Sequence, residues 1–169
     1  AAPADAVDLA SGGLTTRVAV DTVAAPAANL AVFFALRELS MAQSRRTVLI
    51  TGAAGNLGQA VVQAFAAQGD NLVLVDLKTE ALAQAFGAEA PARLFAAANL
   101  LDAAQAQAVV GAALQRFGRI DVLCNIAGGF RMGEAVHETS EKTWNFLFDL
   151  NVRTVLHMAQ AAVPAMLSA

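Results

Sequence analysis

From Thr47 onward, short unbroken apolar runs alternate with runs of helical spacing. Val48-Leu49-Ile50 stops at a glycine-rich turn, the pattern of a strand covered on both faces, as in a parallel sheet. Leu57, Val61, Ala64, Phe65 and Gln68 then recur at helical intervals, and Gly69 marks the end of that helix. Leu72 to Val75 predicts a second buried strand. Thr79-Glu80 opens a short helix ending near Gly87, and Arg93 to Ala97 predicts a third strand. Asp102, followed by Gln105, is a variant of the capping box. It opens a helix with Val110, Ala113, Leu114 and Phe117 on one face, closed by Gly118. Ile120 to Cys124 predicts a fourth strand. Thr139 or Ser140 caps a last helix carrying Trp144, Leu147, Phe148, Val152, Val155, Ala159 and Val163 at helical spacing. Glu141 suits the positive end of that helix, and Pro164 should kink or end it.

The order is β-α-β-α-β-α-β-α. Short strands alternating with helices imply right-handed crossovers and a parallel sheet with helices on both faces. The strands should order as 3-2-1-4, with a switch point between the first and fourth, and ligands bind in the crevice outside the carboxyl ends of strands at such a point. Before Thr47 the pattern is poor. Residues 1–28 are rich in Ala, Pro and Gly without a sustained period, Arg17 to Val23 alternates weakly, and Asn29 could cap a short helix near 29–40. The expected organisation is an N-terminal extension over 1–43, largely unstructured, and an α/β domain over 44–169. Residues 1–40 could be an extension, a fusion remnant or upstream sequence, since Met41 stands just before the first organised segment.

The candidate chemistry sits where this pattern changes. Thr51-Gly52-Ala53-Ala54-Gly55-Asn56-Leu57-Gly58 joins the first strand to the first helix. Gly52 can take the tight turn, Gly55 lets backbone approach a phosphate, and Gly58 permits close helix packing. Free N–H groups and the positive dipole at the helix start attract a pyrophosphate. A glycine-rich turn alone is weak evidence; here it follows a strand and opens a helix in a βαβ unit. Asp76 ends the second strand, where a carboxylate can accept both hydroxyls of an adenosine ribose and repel a 2′-phosphate. That favours NAD over NADP, although Lys78 nearby blunts the preference.

Composition narrows the alternatives. Of the 169 residues, 57% are apolar and 15% charged, which argues against disorder. The net charge is −3 without a basic run, so nucleic-acid binding is not expected. No stretch reaches the ~18 apolar residues of a membrane span, and no basic-then-apolar leader is seen at the N-terminus. With one cysteine, Cys124, no intrachain disulfide can form, and a reducing, cytoplasmic setting is the default. Two histidines and this cysteine lack metal-ligand spacing. Cys124 and Trp144 read as core residues. His137 reads as a loop residue, and His157 as lying on the exposed side of the last helix. Arg131 reads as solvated.

The glycine turn, the acid after the second strand, and the run Phe117-Gly118-Arg119-Ile120-Asp121-Val122-Leu123-Cys124-Asn125-Ile126-Ala127-Gly128 resemble the short-chain dehydrogenase/reductase family over roughly Arg46 to Ala169. The resemblance implies a Rossmann-type doubly wound parallel sheet, partial here. Asn125, Ala127 and Gly128 fit the family's Asn-Asn-Ala-Gly motif, with Ile126 in place of the second Asn. By resemblance this segment steadies the sheet and lines the adenosine and nicotinamide-ribose side. Asn125 can also tie neighbouring strand ends. The spacing Gly52-x-x-Gly55-x-x-Gly58 is similar to the extended branch, where the classical branch has glycine at Asn56. The Asn125–Gly128 segment and the following helix favour the classical branch. Asn99, with Leu100 beside it, stands where the family often has an Asp contacting adenine. Asn151 is expected to face the sheet and bury its amide. The resemblance makes it the catalytic-site Asn, whose backbone carbonyl holds a water in the proton relay; a structural Asn is the plainer alternative.

The family's catalytic Ser and its Tyr-x-x-x-Lys pair would follow Ala169, and the chain contains no tyrosine. The resemblance therefore implies a C-terminally truncated oxidoreductase whose complete relatives move a hydride between the nicotinamide and an alcohol or ketone, as homo-oligomers. This chain alone is expected to show no turnover. The rival readings are a non-catalytic dinucleotide-binding module, and a fragment that folds poorly because Leu123, Phe148 and Val155 lose their cover.

Overall fold

The computed structural model describes residues 45–168. The sequence expectations for residues 1–43 lie outside the described residues. Strand β1 (Thr47–Thr51) has all five residues buried, the outcome expected of an apolar run with both faces covered. It pairs in parallel with β2 (Asn71–Asp76) on one side and with β4 (Val122–Asn125) on the other. Strand β3 (Arg93–Ala97) adds to β2, giving the expected order β3-β2-β1-β4. The register places Thr51 level with Val75 and Asn125, so the strands end together at one rim.

Helix α1 (Asn56–Ala66) and α2 (Thr79–Phe86) pack with Val48, Ile50, Leu72 and Leu74 on one face of the sheet, where Val62 and Leu82 are buried. Helix α3 (Ala103–Phe117) and the C-terminal helix cover the other face. There Leu49, Val73 and Val75 meet Val109, Val110, Ala113, Met158 and Ala162. Alternating strand residues thus feed two separate cores, as the period of two dictates.

Two helices differ from the sequence expectation. The last helix is not continuous: α4 (Glu141–Phe148) runs into a π-helical turn (Asp149–Arg153) before α5 (Thr154–Leu167). Pro164 neither ends nor precedes the end of α5 by more than a turn; it is contained in the helix. At the start of α3, Asp102 caps through Ala104 N–H at 2.9 Å, but Gln105 does not close a reciprocal box. Its Nε2 donates to Asp102 Oδ2 at 3.0 Å, and its Oε1 accepts from Asn99 N–H at 2.8 Å. Trp144, expected in the core, is 63% exposed and stacks on Phe148, because nothing described packs over that side of α4. Among the described residues, no helix is long and apolar enough to cross a membrane.

Candidate functional site

The β1–α1 turn is built by two glycines with different duties. Gly52 has φ +64°, and a Cβ there would lie 2.8 Å from the Ala127 backbone. Both the left-handed backbone and the close approach of the segment after β4 demand glycine. A Cβ on Gly58 would collide with the Gly52 carbonyl oxygen and come within 2.8 Å of Ala53. Gly58 therefore lets the first turn of α1 close down on the preceding turn, rather than on the sheet at large. The turn is pinned from outside as well. Ala53 N–H donates to Val75 O at 3.0 Å, and Gln59 Nε2 donates to Ala54 O at 2.7 Å.

Gly55 occupies the cap position of α1 with extended backbone, and no side chain caps the helix. The first-turn amides of an α-helix have no intrahelical acceptor. Here they point to the strand rim, where a cavity of about 820 Å³ opens between the ends of β1, β2, β3 and β4. This is the switch point of the 3-2-1-4 order.

Of the residues singled out from sequence, Gly52, Gly55, Asn56, Leu57, Gly58, Asp76, Asn99, Leu100, Ala127 and Gly128 line this cavity. Asp76 does more than face it. Its Oδ2 accepts from Ala54 N–H at 3.0 Å and its Oδ1 from Leu77 N–H at 2.8 Å. One carboxylate thus holds the glycine turn and the end of β2 together. Asn99 folds its amide back, with Oδ1 accepting from Leu101 N–H at 3.1 Å.

Two expected site residues stand elsewhere. Asn125 is exposed and does not line the cavity. The tie between strand ends belongs to Thr51, fully buried, whose Oγ1 accepts from Ile126 N–H at 3.0 Å and Ala127 N–H at 3.1 Å. A threonine at a strand end resembles any β-branched strand residue, so spacing alone does not reveal it. Asn151 also lies off the cavity and is exposed rather than buried against the sheet. Trp144 and Phe148, on the same stripe and ahead of the π-helical turn, are exposed as well. The Asn151 amide is nonetheless fully used: Oδ1 accepts from Gly129 N–H at 3.0 Å, while Nδ2 donates to Gly129 O at 2.9 Å and Leu147 O at 2.8 Å. It clamps the Gly129 peptide and ties it to the Leu147 carbonyl one turn back on α4. A Cβ at Gly128 would meet Asn151 Oδ1 at 2.6 Å, so a larger residue there would displace the Asn151 amide.

The sequence reading missed other lining residues, including Val75, Ala98, Leu101, Ile126 and Thr154. Most are apolar and give no signal beyond core patterning. Thr154 hides its hydroxyl by donating to Leu150 O at 2.9 Å. His157, expected on the exposed side, is half-buried, with Nδ1 at 2.8 Å from Leu100 O. At the opposite end of the sheet, Asp121 accepts from Thr47 N–H at 2.8 Å and pairs with Arg119. Burial raises its pKa, but the Arg119 hydrogen bond, the Thr47 amide and the charges of Arg119 and Arg46 outweigh it and hold the carboxyl below its usual range. Burial pushes the Cys124 thiol up, so it stays protonated at neutral pH.

Fold and crevice together define a doubly wound α/β domain with a glycine-turn cleft at its switch point. Residues 46–169 match the family model for short-chain dehydrogenases, and the chain belongs to that family. It is 36% identical over 124 residues to the oxidoreductase UcpA of Salmonella typhimurium, covering 72% of this chain and 47% of that protein. It is 37% identical over 127 residues to D-threitol dehydrogenase of Mycolicibacterium smegmatis, covering 73% and 48%. A short-chain dehydrogenase/reductase of Burkholderia phymatum, solved in complex with NAD, superposes with a TM-score of 0.64 at 31% identity, covering 73% of this chain and 45% of that one. The chain spans about half the length of the curated relatives it matches.

Proposed function

We propose that residues 46–169 hold a nicotinamide dinucleotide for an oxidoreductase that moves a hydride between that cofactor and an alcohol or ketone. The observation that carries this reading is the uncapped start of α1, whose free amides open onto the cavity of about 820 Å³ at the switch point. That volume falls in the range of small-molecule and cofactor sites. The residues fit the group: glycine at 52 and 58 brings backbone to the cleft, and no side chain competes for the first-turn N–H groups.

In this reading the amides of Asn56, Leu57 and Gly58 hold the diphosphate. Asp76 accepts from the adenosine ribose, and Asn99 and Leu100 border the base. Ala127 and Gly128 border the nicotinamide ribose, and the Thr51 hydroxyl steadies that segment. The Asp76 carboxylate, fixed by two backbone amides, opposes a 2′-phosphate and so favours NAD over NADP. Once bound, the nicotinamide ring supplies the hydride donor or acceptor. Asn151, by its likeness to the family's catalytic Asn, contributes its backbone carbonyl to the proton relay of complete relatives. The 169 residues contain no tyrosine to act as acid or base, so this chain by itself binds the dinucleotide without turning over an alcohol.

Calorimetric titration of the chain with NAD, with NADP, and with NAD on Gly55→Asp tests this reading. The Cβ at residue 55 meets only Gly52 O, at 3.3 Å, a tight contact that needs a shift of a few tenths of an ångström, so a thermal melt of the variant accompanies the titration. NAD should bind more tightly than NADP, and Gly55→Asp should abolish binding. Equal binding to wild type and Gly55→Asp would refute the reading.

A further inference from the structure

We infer that His157 is a positioning residue for the base end of the cleft, holding the Leu100 peptide in place from across the fold; this rests on the dinucleotide reading above. The cleft has a direction. The diphosphate end lies at α1, and Asp76 at the end of β2 takes the ribose of the adenosine half. In the order β3-β2-β1-β4, the next wall outward is the turn after β3, formed by Ala98, Asn99, Leu100 and Leu101. The base beyond that ribose therefore lies against this turn.

Most of the turn is held by its own neighbourhood. Asn99 Oδ1 accepts from Leu101 N–H, Gln105 Oε1 accepts from Asn99 N–H, and Asn99 O accepts from Asp102 N–H at 3.0 Å. Ala98 N–H also donates to Asp76 O at 2.9 Å, which ties the turn to the end of β2, but none of these bonds reaches the helix on the far side. The hydrogen-bond link to α5 is made by His157, whose Nδ1 lies 2.8 Å from Leu100 O, across 57 positions of sequence. A carbonyl only accepts, so Nδ1 carries the hydrogen. Leu100 is 6% exposed, with its side chain in the core and its residue in the cavity wall. A shift of its peptide is thus transmitted directly to the base-facing surface. One turn before His157 on the same helix, Thr154 lines the cavity, so α5 fixes both walls from a single rigid element.

The test compares wild type, His157→Leu and His157→Asn in the 169-residue chain. Each is titrated with NAD and with nicotinamide hypoxanthine dinucleotide, which differs only at the purine edge. Leu removes the donor and keeps an apolar side chain; Asn places an amide N–H near the position of Nδ1. His157→Leu should weaken NAD roughly fivefold, the loss of one hydrogen bond, and should shrink the discrimination between the two dinucleotides. His157→Asn should restore both. Thermal melts of the three proteins show whether folding is shared. Unchanged NAD affinity in His157→Leu, or an equal loss for both dinucleotides, would overturn the role of His157 while leaving dinucleotide binding intact. Failure of the wild-type chain to bind either dinucleotide would overturn both readings.

Discussion

Thr51, at the end of β1, and Ala127, in the segment that follows β4, share one hydrogen bond of 3.1 Å, from the Ala127 amide to the Thr51 hydroxyl oxygen. The same oxygen accepts from Ile126 N–H, so a single buried hydroxyl sets where the chain leaving β4 crosses the glycine turn. Gly52, with no Cβ, leaves room for that crossing. Thr51→Val should leave two amides without an acceptor and cost about 1–3 kcal/mol of stability. Thr51→Ser should retain most of it. Urea unfolding of the two variants checks the contrast.

Glycines in this chain are not equivalent. Gly58→Ala forces a methyl group into the Gly52 carbonyl, and both the turn and the α1 amides must move. Loss of NAD binding together with lower stability is expected. Gly111, inside α3, has nothing within 4 Å of an added Cβ. Gly111→Ala should raise stability by about 0.5–1 kcal/mol and leave NAD affinity unchanged. Melting curves and calorimetry on the pair provide the comparison.

Asp121 links pH to stability with a definite sign. Its folded-state carboxyl sits below the ordinary value of 3.8, so its contribution is complete above that value and fades as pH falls through the lower folded value. Asp121→Asn should therefore destabilise the chain at neutral pH, and its difference from wild type should narrow in acid below the ordinary carboxylate range. Equilibrium unfolding as a function of pH gives the curve. A gap that widens as the solution is acidified would reverse the assignment.

Much of the architecture was legible in sequence. Unbroken apolar triplets at Val48–Ile50 and the run at Leu72–Val75 mark strands because a doubly covered strand has no polar face to alternate. Gly118 marks a helix end because it takes φ +77°. Ten of the twelve candidate residues line the cleft, since the glycine turn, the strand-end acid and the segment after β4 are local features of β–α junctions. What sequence spacing missed depends on contacts across the fold. Nothing local distinguishes Thr51 from other strand threonines until β4 lies beside it. Asn151 shares a stripe with Trp144 and Phe148 that reads as core in sequence yet is exposed among the described residues, because no described element covers it. His157 looks solvent-facing until Leu100 O, distant in sequence, meets its ring.

The central claim is that a dinucleotide seats its diphosphate on the amides that open α1. Backbone amide NMR of the isotope-labelled chain during NAD titration tests it most directly. Shifts should concentrate at residues 52–58, with smaller ones at 76–77, 98–101 and 126–128, and should saturate together. Saturating NAD without movement at residues 55–58, or with movement confined to another surface, would contradict the account.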